Sequence, residues 1–308
     1  MAAPLFHRFK YFRLGVVASM VVSAALTSGC ATTNYGDEQF RLGMATHGKD
    51  VMWVPSKANL VQEMLLAAKV TPKDIVYDLG SGDGIIPIEA AKNFGVRAVG
   101  IEYNQDLVEL SVRNAKRAGV DHLVSLKRGD IFVEDFSQAT VLTLYLGDNL
   151  NMKLKPKILQ MKPGTRVVSN TFRMGSWIPD QEIRGSSGDL AFLWIVPAQV
   201  DGEWDVKGLP MADSVQLKIV QKKQFFDGSL TVSGKRSILF ENGRITGREI
   251  QFKFTDETGK PQFFSASIDA GQMVGGLVSS PSVSPSVSPS VSPSADPPIK
   301  VSARRVKR

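Results

Sequence analysis

Between residues 51 and 197, short β-branched apolar runs alternate with stretches whose apolar residues recur every three or four positions. The two periods predict strands and helices in turn, and hence an α/β domain with a parallel sheet wound on both faces by helices. Strands are expected over 75–79, 98–102, 124–128, 141–146, 166–171 and 190–196. Helices are expected after Pro55 and over 85–94, 105–118 and 150–161. In the helix over 105–118, Leu107, Leu110 and Ala115 mark the inward stripe.

The texture changes after Pro197. From 198 to 272 the segments are short and alternating, as in Ile250, Phe252 and Phe254 interleaved with Gln251, Lys253 and Thr255. Turns are expected at Asp227-Gly228, at Asn242-Gly243 and at Glu257-Thr258-Gly259, with the Asn-Gly pair read as a hairpin between 238–240 and 244–247. This predicts a small antiparallel β unit, a curved sheet or a barrel. Residues 273–308, with Ser-Pro-Ser-Val repeats from Ser279 and a basic end, read as a disordered tail.

The first 30 residues read as an address. Arg8, Lys10 and Arg13 precede an apolar run from 14 to 26 that is shorter than the roughly 20 residues a spanning helix needs. Small residues then lead to Cys30, an arrangement that resembles a bacterial lipoprotein processing site. The expectation is a signal over 1–30, a tether over 31–50 and a membrane-associated protein anchored through lipid on Cys30 in a bacterial cell envelope. An organellar or cytosol-facing membrane is the alternative.

Charge and composition alter this picture only by exclusion. The net charge of +7 invites a nucleic-acid reading, but eight of the 37 basic residues sit within the first 13 and last nine positions. The body between them is close to neutral, so no nucleic-acid partner is required. A single cysteine rules out an intrachain disulfide, and three scattered histidines give no reason to expect a metal site.

The chemistry concentrates in Asp78-Leu79-Gly80-Ser81-Gly82-Asp83-Gly84, a strand running through a glycine-rich turn into a helix. A dinucleotide fingerprint would place its third glycine where Ile85 stands. Carboxylates at Asp78 and Asp83 repel a pyrophosphate and suit a cationic ligand carrying an ammonium and a sulfonium. The cofactor expected is S-adenosyl-L-methionine, bound by Asp78, Gly80, Ser81, Gly82, Asp83 and Gly84. Glu102 ends the next strand, twenty positions after Gly82, where a carboxylate accepts ribose hydroxyls. Asp130, after Gly129, is placed to take the adenine amino group, and Ile131 to pack on the ring.

These motifs, with Trp53-Val54-Pro55-Ser56 ahead of a helix and Tyr77 before Asp78, resemble the seven-β-strand protein-lysine methyltransferases of mitochondria and their bacterial relatives. The likeness covers about 51–196, and 143–146 and 162–169 resemble the bacterial branch in particular. It implies a Rossmann-like doubly wound methyltransferase sheet and transfer of a methyl group to lysine on a protein, with membrane proteins among the candidate substrates. The chain departs from the family pattern at 147–149 and 170–173, both near the acceptor pocket that the resemblance implies. Tyr145, at the end of the fourth strand, is the candidate for lining the transfer channel, and Asp148 or Asn149 for orienting an amine. Trp53, Phe172 and Trp177 are candidates for a cation–π lysine channel. Two other readings stay open on the residues alone: an exported lipoprotein using a degenerate methyltransferase fold for binding, and a small-molecule methyltransferase.

Overall fold

The computed structural model describes residues 50–210, 214–234, 236–278 and 299–306. The expectations for the signal, for Cys30, for most of the tether and for the Ser-Pro repeats fall outside them.

Strand β1 (Ile75–Leu79) is an interior strand, third in a seven-stranded sheet. It pairs in parallel with β2 (Arg97–Glu102) on one side and β4 (Val141–Leu144) on the other. β3 (Val124–Arg128) adds beyond β2, and β5 (Arg166–Asn170) beyond β4. The order therefore steps outward from β1 to β3 and then jumps back to β4, which makes a switch point at the carboxyl ends of β1, β2 and β4. Open α/β sheets bind ligands in such a crevice. β7 (Leu190–Ile195) returns antiparallel to β5, and β6 (Gln181–Arg184) completes the edge. β6 escapes the sequence reading because it is four residues long with one buried side chain, Ile183.

Apolar residues spaced along the helices cover both faces. α1 (Ala58–Ala67), α2 (Ile85–Phe94) and α3 (Gln105–Arg117) bury Leu60, Met64, Ile88, Ala91 and Ala115 in one cluster. α4 (Asp148–Ile158) buries Leu150, Leu154 and Ile158 on the other, beside Trp177 and Trp194. Side chains of this size each contribute about 1.5–3 kcal/mol when fully buried.

The second unit is a closed antiparallel barrel of eight strands: β8 (Gly202–Lys207), β9 (Val215–Lys222), β10 (Phe225–Val232), β11 (Arg236–Thr246), β12 (Glu249–Thr255), β13 (Pro261–Asp269), β14 (Gln272–Val278) and β15 (Ile299–Arg305). Closure removes free sheet edges. Its interior is filled by alternating inward residues, among them Phe226, Phe240, Phe252, Phe254 and Phe264.

Three turn and tail expectations need correction. Asn242-Gly243 is no hairpin; it lies inside β11 at a register shift between Glu241 and Arg244 against β12. Gly243 is needed there because a Cβ would stand 2.3 Å from the Phe226 carbonyl oxygen of β10. Asp227-Gly228 likewise lies inside β10, beside a register shift between Phe226 and Gly228. The expected disordered tail fails over 273–278 and 299–305, which belong to the barrel strands β14 and β15; Val301 and Ala303 alternate inward from β15. Glu257-Thr258-Gly259 does form the turn between β12 and β13.

The barrel is fixed to the sheet by specific contacts. The Ala198 amide donates to the Gly247 carbonyl at 2.7 Å. Arg244 donates to Asp180 Oδ1 at 2.8 Å, and Gln224 Nε2 donates to the Ile178 carbonyl at 2.6 Å.

Candidate functional site

At the end of β1 the chain reverses through Gly80, Gly82 and Gly84, with φ of 74°, 54° and 81°. Only glycine holds such angles without steric cost. The Gly80 and Ser81 amides both donate to the Ile101 carbonyl, at 2.8 and 3.1 Å, and tie the turn to β2. A Cβ on Gly82 would stand 2.4 Å from Trp53 Nε1, so the Trp53 indole lies directly against this glycine. Gly84 caps the start of α2.

Three carboxylates surround the turn. Glu102 is buried and held by both oxygens: Oε2 accepts from the Gly82 amide and Oε1 from the Asn104 amide, each at 2.9 Å. Asn104 also caps α3 by accepting the Asp106 amide, so one short segment orients both helix and carboxylate. Asp78 is buried, and its Oδ1 accepts from the Thr143 hydroxyl at 2.6 Å. Burial pushes the Asp78 carboxyl up to about 7, the charges of Glu102 and Asp83 add to this, and the Thr143 bond opposes it. Burial also raises Asp83, against the pull of its bond from the Ile85 amide.

Asp78, Gly80, Ser81, Gly82, Asp83 and Glu102 line one cleft of about 810 Å³. Asp130, Ile131 and Tyr145 line the same cleft. Asp130 Oδ1 accepts from the Phe132 amide at 3.0 Å, which fixes the carboxylate at its rim.

The residues present fit S-adenosylmethionine. Buried acids beside the turn suit its cationic end, and Glu102 and Asp130 supply acceptors along the cleft. Ser81 adds a buried hydroxyl oxygen with no hydrogen-bond partner among the described residues. Small residues in the turn let a ligand approach the backbone closely.

A family model for the ANTKMT methyltransferase domain matches residues 78–181. A protein-lysine N-methyltransferase of Saccharolobus islandicus (strain REY15A) is 42% identical over 151 residues, covering 47% of this chain and 94% of the relative. The chain belongs to the S-adenosylmethionine-dependent protein-lysine methyltransferases. Its methyltransferase domain is also similar to the adenine nucleotide translocase lysine N-methyltransferase of Mus musculus, 34% identical over 131 residues, 42% of this chain and 56% of that one. The crystal structure of an RNA methyltransferase from Salinibacter ruber with S-adenosyl-L-homocysteine aligns with a TM-score of 0.46 and 47% identity, over 48% of this chain and 96% of that one. The family model ends at residue 181, ahead of the barrel.

Among the residues expected at an acceptor pocket, the structure separates the candidates. Tyr145 lines the cleft and stacks on Phe172 with centroids 5.9 Å apart; Phe172 itself lies behind it, outside the lining. Asp148 and Asn149 are exposed and do not line it. Asp148 instead accepts the Arg173 amide at 2.9 Å, pinning the turn after β5, because α4 starts at this residue and directs its first turn towards that loop. Trp177 is buried against Trp194 at 6.0 Å and belongs to the core instead of a channel. Sequence reasoning missed Tyr103, Leu146 and Leu150 as cleft residues. Tyr103 directly follows the end of β2 and Leu146 comes two residues after β4, at the switch point, which was the available signal; Leu150 lies inside α4 and carried none.

Proposed function

We propose that this protein transfers methyl groups from S-adenosylmethionine to the ε-amine of lysine in a protein. The observation that carries the reading is the convergence of Asp78, Glu102 and Asp130 on the cleft around the glycine turn. When bound, the cofactor supplies an electrophilic methyl on a sulfonium, transferred in line to a neutral amine. The protein's share is alignment and control of charge. Asp78 and Asp83 hold the cationic amino-acid end, Glu102 the ribose, Asp130 the adenine, and Ile131 packs on the base.

Tyr145, Leu146 and Leu150 give the acceptor end an aromatic and apolar surface. Such a surface penalises an ammonium and favours the uncharged amine that must attack. Trp53 lies against the turn and lines the cleft, which supports assigning its indole to an arriving lysine. The intact turn and its paired carboxylates argue against a degenerate binding module.

The arrangement Arg8, Lys10, Arg13, apolar 14–26 and Cys30 supports a lipid-anchored protein at a membrane, with membrane proteins among its acceptors. Cell fractionation of wild type and Cys30→Ser tests this; equal membrane content in both excludes the anchor.

For the activity, a membrane-protein extract incubated with methyl-labelled S-adenosylmethionine should gain label with the wild type and none with Asp78→Ala. Equal labelling by the two excludes the assigned cleft.

A further inference from the structure

The buried hydroxyl of Thr143 lies outside the glycine turn, yet it stands only 2.6 Å from Asp78 Oδ1. Thr143 comes from β4 and Asp78 from β1, and the two are Cα partners in the parallel register of these central strands. Thr143 is fully buried, so its side chain is held by packing. The same hydroxyl lies 3.3 Å from the Tyr77 carbonyl, a second acceptor that restricts its rotation. The bond engages Oδ1 of a carboxylate that lines the cleft.

We infer that Thr143 is a positioning residue for cofactor binding, fixing Asp78 and keeping its carboxylate ionised to receive the ammonium of the cofactor's amino-acid end. The inference rests on the cofactor reading above. Two other acids face Asp78: Asp83 from the turn and Glu102 from the end of β2. Both oppose its ionisation, as does burial. A hydroxyl donor is the opposing influence, because a hydrogen bond to the charged form favours that form. Without it, ionisation of Asp78 moves to higher pH, and ammonium binding moves with it.

The test is calorimetric titration of S-adenosylhomocysteine, which carries the same ammonium, into full-length wild type, Thr143→Val and Thr143→Ser. Titrations run from about pH 5.5 to about 8.5, the range in which a carboxyl raised to neutrality changes charge. Wild-type affinity should weaken on acidification. In Thr143→Val the midpoint should rise by about one pH unit, which makes binding roughly tenfold weaker at the acid end and within about twofold at the alkaline end. Thr143→Ser, which keeps the hydroxyl, should follow the wild type. If Thr143→Val does not fold, Thr143→Ala gives the same readout. Affinity lost equally at every pH, or unchanged by removal of the hydroxyl, overturns the inference alone. A wild type that binds no S-adenosylhomocysteine overturns the cofactor reading and this inference with it.

Discussion

The backbone amide of Gly82 donates to Oε2 of Glu102 at 2.9 Å, joining the glycine turn after β1 to the carboxylate that ends β2. Oε1 of the same group accepts the Asn104 amide, so Glu102 serves two backbone donors at once. Glu102→Gln offers only one acceptor oxygen and turns an NH₂ group towards the other donor. An unmatched buried donor costs about 1–3 kcal/mol. S-adenosylhomocysteine affinity should therefore fall by roughly tenfold to a hundredfold, read by calorimetry.

Gly82 and Trp53 form a second testable pair. Gly82→Ala places a Cβ 2.4 Å from the indole nitrogen and should sharply weaken cofactor binding. Trp53→Ala in the same background removes the obstacle and should restore part of the affinity. Only part returns, because alanine at a φ of 54° still carries about 1 kcal/mol of strain. A double mutant no better than Gly82→Ala would show that the indole is not what the methyl group meets.

Asp78 has a consequence for stability in the absence of cofactor. Its folded value of about 7 lies above the ordinary carboxyl value of 3.8, so the folded state favours the protonated form. That contribution is complete below about pH 4 and is lost as pH rises to about 7. Asp78→Asn removes the dependence and can still accept the Thr143 hydroxyl. Its melting temperature relative to wild type should climb between about pH 4 and 7, then level, with a limit on the order of 4 kcal/mol. A constant difference over that range would contradict the assignment.

The barrel should influence stability more than cofactor binding. The side chain of Asp180 is nearly covered, with Oδ1 bonded to Arg244 and Oδ2 accepting the Ile195 amide at 2.8 Å. Arg244→Ala leaves that carboxylate with one partner fewer and should lower stability by about 1–3 kcal/mol. S-adenosylhomocysteine affinity should stay unchanged, since Asp180 and Arg244 lie outside the cleft.

Asp148 and Asn149 separate a structural role from none. Asp148→Ala frees the Arg173 amide and should cost about 1 kcal/mol in thermal unfolding. Asn149→Ala, at an exposed position, should leave both stability and methyl transfer intact.

The cleft residues around the glycine turn were legible in the sequence because they are local. Asp78 to Gly84 form one strand–turn–helix passage, and Glu102 and Asp130 end or follow the next two strands. The surroundings of Tyr145 were less so. The stacking of Tyr145 on Phe172 and the bond from Arg173 to Asp148 join residues more than twenty positions apart, and no local period reports them. In the barrel, Asn242-Gly243 carries the same local signal for a turn and for a bulge, and only pairing on both sides of β11 decides between them. β15 was hidden by its basic surroundings, although Val301 and Ala303 already showed the alternation of a half-buried strand.

The most direct measurement is the chemical identity of the methylated product. Protein labelled by the wild type from methyl-labelled S-adenosylmethionine is hydrolysed completely and its amino acids are separated. The label should run as N-methylated lysine and vanish with Asp78→Ala. Label recovered in another amino acid, or only in nucleic acid or small molecules, would contradict the account.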